Sequence, residues 1–138
     1  MKRERDLYSK RRERNVEEKI ELPHRESIVI KDHVVRPTSI SLVKSYLRKA
    51  QERGLVQDAR DYTIGAVALL SAGMGKADEA GVRYVTSRHI SRGWAEILRV
   101  GGGNCPPHRC MRMSVLKRVD ELKESVPYFR ELLRVMER

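Results

Sequence analysis

Between Ile64 and Gly81 the chain reads IGAVALLSAGMGKADEAG, and ten of these eighteen residues are glycine, alanine or serine. A helix carries such a stretch at a cost of about 1 kcal/mol for each interior glycine. The compensation is steric, because a ridge without side chains lets a second helix approach closely. Asp58 is a candidate N-cap, so the spacing predicts a helix from near Asp58 to about Gly81, with a break near Gly73 or Gly75 as the alternative. A chain built around this segment must bring other helices to it.

Composition points the same way. Of 138 residues 35% are charged and 5% are aromatic. One domain is the default at this length, and its core must come from aliphatic residues, which suits helices packed on helices. Residues 22–37 hold two β-branched runs, Ile28–Ile30 and Val34–Val35, between Pro23 and Pro37, and read as an extended connector with room for a short strand. A helix is expected after Pro37, with Thr38 or Ser39 as N-cap, Ile40, Val43, Leu47 and Ala50 on one face, and Gly54 as the stop. Another is expected from Thr86 or Ser87 to just before Gly101, with Ile90, Trp94, Ile97 and Leu98 inward and Arg88, Arg92 and Arg99 off that face.

A last helix is expected from Ser114. Val115, Val119, Leu122, Val126, Phe129, Leu133 and Met136 repeat at spacings of four and three, a heptad seam. The seam keeps phase across Pro127, which predicts a kinked continuous helix or two halves nearly in line. The expected fold class is therefore all-α: a basic N-terminal helical arm followed by a four-helix bundle. The arm and connector take residues 1–36 and the bundle domain residues 37–138. No run of eighteen apolar residues occurs, so no membrane span is expected. The charged N-terminus lacks the apolar stretch of a secretory signal.

The formal net charge of +10 is confined to two places. Residues 1–14 carry Lys2, Arg3, Arg5, Lys10, Arg11, Arg12 and Arg14 against three acids. Residues 88–118 carry Arg88, Arg92, Arg99, Arg109, Arg112, Lys117 and Arg118 against Glu96 alone. The remainder balances. A mixed surface needs no partner, but segregated basic blocks suit a polyanion. Arginine outnumbers lysine in both, which favours bidentate contact with phosphate.

The stretch GGGNCPPHRC, residues 101–110, gathers three glycines, two prolines and both cysteines. Zinc wants four ligands; Cys105, His108 and Cys110 supply three, and no further histidine has a second ligand beside it, so no metal is expected. A phosphate loop is not expected either, since Pro106 and Pro107 lack the N–H groups it needs. A disulfide between Cys105 and Cys110, or two free thiols, are the open alternatives, and either makes the segment an elbow that presents His108, Arg109 and Arg112 beside Arg99. No hydrolase, metalloprotease or paired-carboxylate motif appears, and TSRHI at 86–90 reads as a helix N-terminus. The expectation is a protein that is not an enzyme and has no cofactor.

Two resemblances sharpen this. ISLVKSYLRKAQERGLVQDAR, residues 40–60, and YVTSRHI, residues 84–90, resemble the first helix, loop and second-helix start, and the second loop and third-helix start, of archaeal histones. The full-length layout resembles the major coat proteins of filamentous double-stranded DNA viruses of hyperthermophilic archaea. That resemblance implies a viral nucleocapsid protein in the virion. It would pair as a homo- or hetero-dimer with a related protomer, wrap double-stranded DNA without sequence preference, and stack into a helical filament. The alternatives are a histone-like, nucleoid-associated chromatin protein and an RNA-binding small subunit of a ribonucleoprotein assembly. On any of these readings the contacting residues are the arm cations named above with Arg88, Arg92, Arg99, Arg109 and Arg112.

Overall fold

A computed structural model describes residues 26–100 and 119–136. The order of elements is β1 (Ile28–Ile30), β2 (His33–Val35), α1 (Pro37–Glu52), α2 (Ala59–Glu79), β3 (Tyr84–Val85), α3 (Ser87–Val100), α4 (Val119–Ser125) and α5 (Phe129–Met136). This corrects the expected all-α four-helix bundle. The described residues form five helices and a three-stranded mixed sheet of order β1-β2-β3.

The sheet follows from the two β-branched runs. Lys31 and Asp32 join them with φ of 46° and 68°. Positive φ at both central residues is the signature of a type I′ hairpin turn, whose twist matches that of the strands. Ile28 pairs with Val35 and Ile30 with His33 across the antiparallel ladder, and all four are buried. β3 then adds in parallel, Val34 beside Tyr84 and Val35 beside Val85. The segment expected as a connector thus supplies part of the core.

α1 begins two residues earlier than Ser39. Pro37 occupies the first turn, where its missing N–H costs nothing, and Arg36 is the cap without a side-chain bond. Ser39 is used elsewhere: its hydroxyl, fully buried, donates to the Val85 carbonyl at 2.6 Å and ties α1 to β3. Gly54, at φ 75°, ends the helix as expected. The Asp58 side chain caps α2 by accepting from the Asp61 N–H at 2.8 Å.

α2 is unbroken through Gly73 and Gly75 and is the central element, with thirteen of its twenty-one residues buried. Its small residues face close neighbours. A Cβ at Gly93 of α3 would fall 2.7 Å from the Ala72 Cβ and 2.8 Å from that residue's backbone carbon. A Cβ at Gly75 would fall 2.9 Å from the Pro127 ring. α1 packs against both α2 and α3, and on α3 its Tyr46 ring stacks with that of Trp94, centroids 5.8 Å apart.

Of the two expected forms of the C-terminal heptad, a kinked continuous helix or two halves, the chain forms two separate helices. α4 stops at Ser125 and α5 begins at Phe129. Pro127 cannot donate to the helix ladder, and Tyr128 takes the left-handed conformation, φ 64°. Leu122, Val126, Phe129, Leu133 and Met136 are nevertheless all buried, so the seam survives the break. Ser114 and Val115 lie outside the described residues. Among those described, no helix is long and apolar enough to cross a membrane.

Candidate nucleic-acid interface

α3 separates its residues cleanly. Ile90, Gly93, Trp94, Ile97 and Leu98 are buried, while Arg88, Arg92, Ala95 and Arg99 are exposed. At 100° per residue these four fall within about 60° of one another. They make one outward stripe roughly 16 Å long, with three guanidinium groups and the small Ala95 between them.

Its counter-charge is spent elsewhere. Glu96, the lone acid among residues 88–118, is held by Lys76 of α2, Nζ to Oε2 at 2.5 Å. The Glu96 hydrogen bond, opposed by partial burial, raises the Lys76 pKa. Arg99 touches the other Glu96 oxygen only at 3.5 Å and is 73% exposed. Arg88 and Arg92 form no ion pair among the described residues.

The start of α3 is fixed by one half of a capping-box arrangement, the side chain three positions on bonding back to the residue before the helix. Thr86 is the residue before the helix, and the Nδ1 of His89, three positions on, accepts its backbone N–H at 3.0 Å. Burial, then the charges of Arg92 and Arg88, push the His89 pKa down. The helix-terminus reading of TSRHI is therefore the geometry seen. Beside the same end, the Arg36 guanidinium lies 4.8 Å from the centroid of the half-exposed Tyr84 ring, a cation–π contact.

Of the predicted contact residues, the structure brings Arg88, Arg92 and Arg99 together. Lys2, Arg3, Arg5, Lys10, Arg11, Arg12, Arg14, Arg109 and Arg112 lie outside the described residues, as do Cys105, His108 and Cys110. Among the described residues no group of three or more His, Cys, Asp or Glu is placed to hold a metal.

Two further clusters have no counterpart in the sequence reading. The first joins β2, α2 and the break before α5. His33 is buried, with Nδ1 2.8 Å from the Lys31 carbonyl oxygen and Nε2 2.7 Å from Asp78 Oδ1. The Tyr128 hydroxyl donates to the other Asp78 oxygen. The second is an open cleft of about 470 Å³ on α1, lined by Ser41, Lys44, Ser45, Arg48 and Gln51, with Tyr62 of α2 as its wall. The chain matches no protein-family model, no curated protein and no solved structure.

Proposed function

We propose that this chain is a structural protein that coats or compacts double-stranded DNA without sequence preference, as a nucleocapsid protein or a histone-like chromatin protein. The observation that carries the reading is the α3 stripe: three arginines on one face of a rigid helix, with the nearest acid neutralised from another element. Over about 16 Å, duplex DNA presents about nine phosphate charges, so the stripe meets an excess of partners. Contacts of this kind position a protein on the backbone and carry no base information. The basic blocks at residues 1–14 and 109–118 add cations for the same purpose, and a pair of protomers would double the contact.

The layout between Pro37 and Val100, a helix, a longer helix and a third helix after a short strand, favours the histone-like version over the coat. The coat resemblance leans on a four-helix bundle, and that is not the architecture seen.

The test is duplex binding as a function of salt. With five or more phosphates neutralised per protomer, log K against log salt is expected to slope at about −4.5 or more steeply. Replacing Arg88, Arg92 and Arg99 by Gln should flatten it by about 2.7. A salt-independent affinity, or a strong preference for one sequence, overturns the reading. Electron microscopy with linear DNA separates its two versions: filaments mark a coat, short wraps a chromatin protein.

A further inference from the structure

Beside the α3 stripe stands a side chain that can change its charge near neutral pH. His89 is half-buried and lies three positions before Arg92, the spacing at which helical side chains are neighbours. Its Nδ1 accepts the Thr86 backbone N–H at 3.0 Å, and the Thr86 hydroxyl lies 3.2 Å from the same atom. A backbone N–H can only donate. Nδ1 is therefore bare, the hydroxyl donates to it as well, and the ring is neutral.

The surroundings favour that state. Burial first and Arg92 next hold the ring's pKa below its ordinary value, the bond to the Tyr84 backbone opposes them, and Arg88 adds to them. From β3 the neighbour is Tyr84, whose own ring carries the Arg36 guanidinium at 4.8 Å. No carboxylate of the described residues is among these influences. Glu96, the acid of the same helix, is held by Lys76. The free protein thus keeps a neutral imidazole beside the stripe, and the arginines are part of the reason.

We propose that His89 is a further cation of the interface, one that gains its charge when duplex DNA binds, so that binding takes up a proton from the buffer at Nδ1. The inference rests on the DNA-binding reading and adds regulation by pH to it. Phosphates seated on Arg88 and Arg92 offset the charges that oppose an imidazolium and bring negative charge close to it. Protonation forfeits the Thr86 bond, which is why the proton waits for the polyanion. The coupling is reciprocal. A ligand that raises the proton affinity of His89 binds more tightly as pH falls through the window between the free and bound values.

The experiment measures duplex affinity of the full chain at fixed salt between about pH 7.5 and 5.5, where DNA phosphates stay ionised, beside His89→Gln. Glutamine is a natural partner of threonine in the capping box, so this variant keeps the cap and removes the titration. Over that range the unmodified protein is expected to gain about threefold or more in affinity relative to His89→Gln, with roughly tenfold per pH unit as the ceiling for one proton. NMR of the His89 ring gives a second readout that needs no variant. Its titration midpoint should lie below about 6.5 in the free protein and move up on duplex binding. The same pH dependence in both proteins, or a midpoint that binding does not move, overturns the proposal and leaves binding by the arginines standing. A free-protein midpoint above about 6.5 also overturns it, because the ring would carry its proton before any duplex arrived. Failure of the unmodified protein to bind duplex at any pH overturns the DNA reading and this coupling together.

Discussion

Ser71 and Gly93 show how finely the helix contacts are set. Ser71 is fully buried in α2, and its hydroxyl has no hydrogen-bond partner among the described residues. A buried polar group left unpaired costs about 1–3 kcal/mol, and alanine is also the better helix former. Ser71→Ala is expected to stabilise the fold by about 1 kcal/mol, a rise in melting temperature of roughly 4 °C. A fall on thermal denaturation would mean that the hydroxyl has a partner after all. Gly93→Ala should act in the opposite sense. The added methyl meets Ala72 and the Gly73 nitrogen at 2.7–2.9 Å, and two of those three contacts are with backbone, which cannot rotate away. Overpacking of that kind costs about 1–3 kcal/mol, and urea unfolding should record a loss near the upper end. A change below about 0.5 kcal/mol would show that α2 and α3 separate easily. The small-residue run announced this contact in the sequence, although which glycine met which neighbour was not legible. The run supplies one surface only, and Gly93 lies on another helix.

Among the elements, those governed by local chemistry were the legible ones. Asp58 caps, Gly54 stops and the 87–100 helix all depend on residues within a few positions of each other. The hairpin was half visible: its β-branched runs stand out, but Lys31-Asp32 is not an Asn-Gly or Asp-Gly pair, and nothing local says that both residues turn left-handed. The break at Tyr128 was invisible because the heptad seam continues through it. What holds that break is non-local. Tyr128 and His33 reach Asp78 from fifty and forty-five positions away. Burial alone would push the Asp78 carboxyl up; the hydrogen bonds from Tyr128 and His33 outweigh it and hold the group below its ordinary value. The bond to Asp78, with burial next, pushes the Tyr128 phenol up to about 12. The signs fix the pH window. A depressed carboxylate stabilises above its ordinary value of about 3.9 and loses that contribution as pH falls through its folded value. A raised phenol stabilises fully below about 10 and loses its contribution as pH climbs towards 12. Asp78 is partly exposed, so the whole is worth about 1 kcal/mol or less. Tyr128→Phe should therefore cost most near pH 7, with the difference from the unmodified protein shrinking at pH 3 and again at pH 11. A pH-independent difference in unfolding would show that the phenol merely packs.

For the molecule as a whole, the decisive relation is between a body that closes on itself and a charge excess that does not. Among the described residues Val82 and Tyr84 are the large apolar side chains left exposed. The central helix α2 is enclosed by α1, α3, α5 and β3 from the same chain. The described residues bury this core among themselves, so stability and the proposed binding to a polyanion should be separable. The sequence made half of this plain, since Arg88, Arg92 and Arg99 follow helical spacing, but the neutralisation of Glu96 by Lys76 depends on two helices meeting twenty positions apart. Separability gives the last expectation. Residues 1–14 contribute seven cations against three acids, and deleting them removes binding charge without removing any residue of the described core. The truncated protein should melt within about 2 °C of the full chain, a shift corresponding to less than about 1 kcal/mol. Its duplex salt slope should flatten by about 0.9 for each cation that was seated, or about 3 if half of the seven are engaged. Calorimetry and salt-dependent binding on the same preparation measure both quantities. A large drop in melting temperature would place residues 1–14 in the fold, and an unchanged slope would leave α3 and its neighbours as the whole of the interface.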